Sequence, residues 1–427
     1  MLVYRILFIP LFLLMLPHYG MRMWKRGGYA KDFKYRLGFW PVIKKSGKKR
    51  IWIQSVSVGE VKAAGSLIDR FAADGRFEVI LTATSSTGYA LAKELYASKI
   101  LFVGLFPWDF YPCSALAWKR ICPDIAVLME SELWPEHLHQ ARMRRVPVYL
   151  VNARLSDRTF ARYLRFGSVS HMIFSWVTKI LASSNETFGR FLELGVDGSK
   201  LLVSGNIKFD CDCPRIDAQT KVALKAELGF SSESLILLGS STWRGEEEWL
   251  VKCFGEIRKK TERDWRLLLV PRHAERRAEI VAMLRSSGLR WHRRSRGYPS
   301  AQVDVCLADT TGELVKLTGI SDLVFIGKSL FESRGGQSPL DAAAYGVPMV
   351  YGSNMANFRD ICHSLELAGG AVKAADETAA QKAIVELAMD GHRRASLSEI
   401  LCRWRAQNRG AAECAYRLIV GDCCSAK

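Results

Sequence analysis

The sequence predicts an α/β fold of two parallel-sheet domains, and three observations lead there. Short, nearly unbroken Val/Ile/Leu runs alternate with helix-like stretches, the pattern of parallel strands covered on both faces. The alternation occurs twice, once in each half of the chain. At 427 residues the chain is also longer than a single compact core usually supports.

In the first half the expected strands are residues 50–54, 77–83, 100–105, 125–129, 146–152, 179–182 and 201–204. Helix-like stretches at 62–74, 89–97 and 135–144 lie between them. The second half repeats the pattern with strands at 235–239, 266–270, 289–292, 303–308, 322–326 and 347–351. These series predict two Rossmann-like domains facing across a cleft. The expected boundaries are 1–40 for an anchor, 41–208 for the first domain and 209–427 for the second. The join falls near 206–218, with Pro214 and the polar stretch 217–220 as the expected hinge. Residues 393–420 read as helical and are expected to return to the first domain.

Composition narrows the function. Hydrophobic content of 49% and charged content of 24% belong to a folded protein. The net charge of +18 calls for an anionic partner: nucleic acid, a phosphosugar or an anionic membrane surface. No helix-turn-helix or zinc-finger pattern is present, and the basic residues concentrate beside an apolar run, so nucleic acid is not expected. The eleven cysteines are scattered without a CxxC pair. Cys211/Cys213 and Cys423/Cys424 lack partner histidines, so reduced thiols in a cytoplasmic protein are expected rather than zinc.

The amino terminus has its own pattern. Residues 6–16 read ILFIPLFLLML, after Arg5 and around Pro10. That is shorter than the ~20 residues of a simple spanning helix. No small-residue cleavage site follows, which disfavours a removable signal peptide. Residues 22–50 carry eleven Lys/Arg against Asp32 alone, mixed with Trp24, Tyr29, Phe33, Tyr35, Phe39 and Trp40. Such a mixture suits a lipid headgroup layer. The expectation is a shallow or barely spanning anchor on the cytoplasmic, positive-inside face. An ordinary buried helix is the alternative.

Ligands of open α/β sheets bind beyond the carboxyl ends of the strands, so the polar groups there carry the chemistry. Ser55-Val56-Ser57-Val58-Gly59-Glu60 leaves the first strand and enters a helix. At a helix start Glu60 is expected to be ionised and to suit a base, or else to be a plain capping residue. Glu130-Ser131-Glu132 follows residues 125–129 and places two more carboxylates at the same edge. Complementing a helix dipole before Pro135 is the alternative there. Asn152 and Arg154 follow the next strand; a structural salt bridge is the bland reading of Arg154.

In the second half, Ser240-Ser241-Thr242-Trp243-Arg244 joins a strand to a helix, and hydroxyl groups there can bind phosphate. Arg272 and His273 follow the next strand. Gly335-Gly336-Gln337-Ser338-Pro339-Leu340-Asp341 is a glycine-rich loop opening a helix, placed to cradle an anion or simply to turn tightly. Asp210-Cys211-Asp212 resembles a metal-holding acidic triplet, but a metal role is not expected in a linker.

The ordered set SVSVGE, ESELWP, VNARLS, GNIKFD, GSSTWRGEEE, PRH and GGQSPLDAAAYGVPMVYG resembles the bacterial 3-deoxy-manno-octulosonic acid (Kdo) transferases of lipopolysaccharide synthesis. The resemblance runs from the amino terminus to about residue 359. It implies a GT-B fold, an acceptor-binding first domain and a second domain binding CMP-Kdo. It places the catalytic base on Glu60 and further catalytic carboxylates at Glu130 and Glu132. Donor-binding positions fall on Lys208, Ser241, Thr242, Arg272, His273, Gly335, Gly336, Gln337, Ser338 and Asp341. No cofactor and no metal are implied, since CMP-Kdo is a substrate. The implied reaction is inverting transfer to a lipid A precursor (lipid IVA) at the inner membrane. Two departures stand out: Trp243 where relatives have histidine, and Gln337-Ser338 where they read His-Asn. A GT-B enzyme using a UDP-sugar, or a non-catalytic membrane adaptor with the same fold, is the alternative.

Overall fold

The structure, a computed structural model, describes residues 1–26, 30–210, 215–332 and 335–425; the side chains at 18–19, 22–26, 30–31 and 424–425 lie outside that description. The chain divides into two compact units, Met1–Cys211 with Asn408–Lys427, and Asp212–Gln407.

Unit 1 holds a seven-stranded sheet of β1 (Lys49–Ser55), β2 (Phe77–Ala83), β3 (Phe102–Leu105), β4 (Ile125–Met129), β5 (Val148–Ala153), β6 (Lys179–Ala182) and β7 (Leu201–Val203). The order is β3-β2-β1-β4-β5-β6-β7, every pair parallel. Along β1 the side chains alternate between two dry layers. Ile51 and Ile53 join Leu67, Phe71, Val79 and Val127 on one face, while Trp52 joins Ile80, Trp118 and Leu128 on the other. Both layers exclude water, which is why these strands read as unbroken apolar runs. β1 therefore delivers its last residues rigidly to the sheet's carboxyl edge.

The polar start of β1 is also inside. Arg50 is fully buried and bonds Glu78 at 2.6 Å, with the carbonyls of Ile43, Lys44 and Ile121 taking its other protons. Arg36 is 2% exposed and donates to the carbonyls of Phe106 and Thr84, while Trp40 is fully buried. This corrects the expectation that the basic and aromatic stretch 22–50 faces lipid headgroups. Arg36, Trp40 and Arg50 are core residues whose charge or indole is satisfied by protein. Lys34, Lys44, Lys45, Lys48 and Lys49 are exposed, and the side chains of Arg22, Trp24 and Tyr29 lie outside the described residues.

Helix α1 (Leu2–Arg26) precedes all this and contains Pro10 and Pro17. Tyr4, Arg5, Phe8 and Phe12 recur at helical spacing and face unit 1. Tyr4 donates to the Asp109 carboxylate at 2.6 Å, and Arg5 grips Glu136 at 2.8 and 2.9 Å. Phe8 stacks on Phe110 and Phe12 meets the edge of Trp108. Leu7, Leu11 and Leu14, with their neighbours on the outer face, are exposed. No helix among the described residues is long and apolar enough to cross a membrane.

Unit 2 repeats the plan with β8 (Leu235–Thr242), β9 (Trp265–Pro271), β10 (Trp291–Arg293), β11 (Val305–Leu307), β12 (Leu323–Ile326), β13 (Met349–Tyr351) and β14 (Val372–Lys373). The order is β10-β11-β9-β8-β12-β13-β14, again all parallel. β14 was not expected from the sequence; two residues carry no periodicity. The stretch 217–220 is not a free hinge: Asp217 caps the helix Ala218–Glu227 by accepting the Thr220 amide at 2.7 Å. Pro214 lies outside the described residues. The expected single helix at 393–420 is two, Gly391–Asn408 and Ala411–Ser425, broken where Gly410 takes φ +112°. Buried Asp210 fixes the second by accepting the amides of Gly410 and Ala412.

Removing one partner of a buried pair leaves an uncompensated charge, at a cost of about 3–5 kcal/mol. Glu78→Ala strands Arg50, so the unfolding transition of unit 1 in urea should fall by about that amount. An unchanged midpoint in circular dichroism would contradict the buried role of this pair.

Candidate functional site

The carboxyl edge of the unit 1 sheet gathers three carboxylates and a lysine. β1 ends at Ser55, and Ser57 caps the short helix α2 (Val58–Ala63), accepting the Glu60 amide at 3.4 Å. The capping box closes in reverse. The Glu60 carboxylate turns back to accept the Val56 amide at 2.8 Å and the Ser57 hydroxyl at 3.0 Å. It is 7% exposed.

Burial, followed by the nearby Glu130 charge, pushes the Glu60 pKa up to about 7, against the pull of Val56, Ser57 and Lys208. The expected direction was the reverse. The helix start and capping bonds do favour the charged form, but loss of water outweighs them. A base that titrates near neutrality is the better proton acceptor for it.

Glu130 follows β4 and is held left-handed at φ +58°, its amide donating to the Val151 carbonyl at 2.9 Å. Its carboxylate pairs with Lys208 at 2.6 Å. Glu132 is also pushed up to about 7, by burial and then by Glu60. Lys208 is positioned from two sides: Asn152 accepts the Ile207 amide at 3.1 Å, and Asn206 accepts the Lys208 amide at 3.1 Å. Asn152 is itself left-handed, φ +56°, at the end of β5 and 1% exposed. Its role in aiming Lys208 was invisible in sequence, where VNARLS was only a polar strand end. Lys208 belongs to this cluster, within unit 1.

In unit 2 the strand ends carry the remaining expected residues. Ser241, next to last in β8, has φ +52°. Thr242 is fully buried, and its hydroxyl donates to Glu247 at 2.8 Å, which Arg276 grips at 2.8 and 3.0 Å. That hydroxyl is committed inside the fold. Arg272 and His273 are exposed after β9, and the Arg272 amide reaches the Thr242 carbonyl at 3.1 Å. Gly335 and Gly336 have φ +102° and +68°, and a Cβ on Gly336 would lie 2.3 Å from the Met355 sulfur. Only glycine fits there. The amides of Gly336 and Gln337 donate to the carbonyls of Lys328 and Gly327, each at 3.1 Å, so they zip the loop onto the end of β12. They do not present themselves to an anion. Ser338 accepts the Leu340 amide at 3.3 Å, and Asp341 lies half-buried in the helix Leu340–Tyr345. Lys328, also at this edge, was not singled out in the sequence. Of the acidic triplet, Asp210 is spent on the Ala411–Ser425 helix, and Cys211 and Asp212 lie outside the described residues.

Two all-parallel seven-stranded units, each with its polar groups at the carboxyl edge, define the class as GT-B-like. The same fold occurs in UDP-GlcNAc 2-epimerase from Neisseria meningitidis, 13% identical with a TM-score of 0.59, over 87% of this chain and all of that one. Residues 31–211 match the family model "3-Deoxy-D-manno-octulosonic-acid transferase (kdotransferase)". The 3-deoxy-D-manno-octulosonic acid transferase of Bordetella pertussis is 32% identical over 370 residues, covering 84% of each chain. That of Haemophilus influenzae is 30% identical over 404 residues, 94% of this chain and 93% of its own. The chain belongs to the Kdo transferase family and is a glycosyltransferase.

The raised carboxylates carry a stability signature. Their folded pKa values lie above the ordinary ones, so the folded state holds protons that the unfolded state has lost between about pH 4.5 and 7. Stability of unit 1 should therefore decline across that window as pH rises. Glu60→Gln removes one of the charges and should stabilise the protein at pH 8 by on the order of 1–3 kcal/mol, with little effect at pH 4. Calorimetric melts at the two pH values check this; equal shifts at both would contradict it.

Proposed function

We propose that the chain transfers Kdo from CMP-Kdo to a glucosamine hydroxyl of a lipid A precursor, with inversion and with Glu60 as general base. The observation that carries this reading is the Glu60 carboxylate itself. It is buried, bonded by Val56 and Ser57, and poised near neutrality, while the neighbouring cation Lys208 pairs with Glu130 instead. A carboxylate neutralised by its own lysine would hold a proton too weakly to serve.

In the proposed step Glu60 accepts the proton of the acceptor hydroxyl as its oxygen bonds to the anomeric carbon of Kdo. The bond from that carbon to the phosphate oxygen breaks, and CMP leaves with the electron pair. Attack opposite to departure inverts the centre, as in single-displacement sugar chemistry. Glu132, half-protonated near neutrality, is suited to hydrogen-bond an acceptor hydroxyl. Arg272, at the end of β9, offers positive charge to the departing phosphate, and His273 beside it a ring nitrogen for hydrogen bonding. No step calls on a metal.

The acceptor side draws support from α1. Its inner face is fixed to unit 1, and its outer face presents Leu7, Leu11 and Leu14 to solvent. A helix of this kind lies in the interface of a bilayer with its apolar side down. We place it on the cytoplasmic surface of the inner membrane, where an anionic glycolipid acceptor would be embedded.

Glu60→Gln should cut Kdo transfer by at least ~10²-fold while leaving CMP affinity within twofold. Transfer measured by mass spectrometry of the lipid product, with CMP binding by calorimetry, tests this; near-normal turnover refutes the base. Tighter binding of UDP than of CMP would sink the donor assignment. Replacing Leu7, Leu11 and Leu14 together by Glu should lower partitioning into phosphatidylglycerol vesicles by ~10-fold or more. Unchanged flotation with vesicles would rule out the interfacial role.

A further inference from the structure

The loops after β8 and β12 are held together by one buried acid. Glu246, fully buried at the start of the helix Glu246–Lys260, accepts the amides of Trp243 and Lys328 at 2.8 Å each, that of Ser329 at 3.1 Å and that of Leu330 at 3.4 Å. From the other side, the Gly336 amide holds the Lys328 carbonyl. The backbone so fixed is strained: Ser241, Lys328 and Phe331 take φ +52°, +58° and +56°. Non-glycine residues keep such conformations only where their surroundings over-determine them, and they cluster at ligand clamps.

What the strain achieves is the placement of one side chain. The half-buried Lys328 ammonium lies 4.7 Å from the centroid of the Trp243 ring. The edge of that ring meets His273, with centroids 5.0 Å apart. Among the described residues no carboxylate pairs with Lys328. A cation–π contact at best offsets the rotamer freedom that a held lysine gives up. Packing therefore does not account for the arrangement. A positioned cation lacking its anion, at the edge where β9, β8 and β12 end side by side, does.

We propose that Lys328, set by Trp243 and by the grip of Glu246 on its backbone, binds the phosphate of the nucleotide donor. Lys328 is then a donor-contacting residue and Glu246 a positioning residue that acts through it. Trp243 is the platform that keeps the ammonium turned toward the ligand. The inference rests on the proposed reading of the donor as a cytidine monophosphate sugar, and it adds the residue that reads its charge. Lysine meets phosphate as a compact point charge, a contact that should weaken with salt.

Calorimetric titration with CMP and with cytidine separates this role from a structural one. Lys328→Met should lower CMP affinity ~10-fold, the loss of one charge-assisted contact, and leave cytidine affinity unchanged, while Lys328→Arg restores most of the CMP affinity. Glu246→Gln should weaken CMP binding as well. The double variant Glu246→Gln/Lys328→Met should be no weaker than the poorer single one, because both remove the same contact. Equal losses for CMP and cytidine, or additive losses in the double variant, would overturn the assignment in favour of a packing role. If the wild-type protein binds CMP and Lys328→Met binds it equally well, this inference alone falls. If the wild-type protein does not bind CMP, the donor reading falls and takes this inference with it.

Discussion

The ion pair between Lys208 and Glu130 sets the electrostatics of the unit 1 site. Three carboxylates converge at the carboxyl edge of adjacent strands, and unit charges 4 Å apart interact by roughly 4 kcal/mol where the effective dielectric is near 20. One lysine cannot satisfy all three. It pairs with Glu130, while burial first and a neighbouring carboxylate second (Glu130 for Glu60, Glu60 for Glu132) push both Glu60 and Glu132 up to about 7. Were the ammonium to lie on Glu60 instead, that carboxylate would be held ionised at neutral pH and would be a poor proton acceptor. The asparagines at 152 and 206 matter because they decide which carboxylate the lysine meets.

Both units use the same device at their strand ends. In unit 1 the left-handed residues Glu130 and Asn152 lie within two residues of the ends of neighbouring strands; in unit 2 Ser241 and Lys328 do so. A strand leaving a parallel sheet normally continues into its loop with the side chain aimed along the pleat. One left-handed residue turns the chain sharply enough to aim that side chain across the edge. The cost is local strain, and each site covers it with buried hydrogen bonds to backbone amides: Asn152 on Ile207 in one, Glu246 on Trp243 and the successive amides of Lys328, Ser329 and Leu330 in the other. Glu246 is also pushed up to about 7 by burial, despite those four bonds. Its partners are amides rather than a cation, so desolvation is only partly offset.

How much of this was legible follows from what each feature requires. The thirteen expected strands all form, because burial on both sheet faces writes itself as apolar runs. Glu60 and Glu130 were legible as polar residues following such runs; Lys208 entered only through the family resemblance, as a donor-binding position, and the fold brings it to Glu130. The direction of the Glu60 pKa was not, because desolvation depends on what packs over a residue from elsewhere in the chain. Nor was the burial of Arg36 and Arg50, since a cluster of lysines and arginines looks alike whether its members face water or carbonyl groups. Lys328 escaped for a third reason. Nothing in the string of letters around it announces a left-handed backbone, and its partner Trp243 is 85 residues away, a separation read directly from their numbers.

The amino-terminal helix takes up the apolar run that the sequence offered as a shallow or barely spanning anchor, with an ordinary buried helix as the alternative. Twenty-five residues of helix extend about 37 Å, enough to span a bilayer's hydrocarbon core. Spanning, though, requires the helix to leave the protein, and the start of α1 is tied to it. Arg5 forms two hydrogen bonds to Glu136, whose side chain is fully buried, and Tyr4 is bonded to Asp109 one turn's reach away. Pulling the helix free would strip the buried Glu136 carboxylate of its cation, at a cost of about 3–5 kcal/mol. The same residues that make α1 apolar on its outer side are therefore available only sideways. A helix held along one face and bare along the other offers its apolar side chains as a flank rather than as a span.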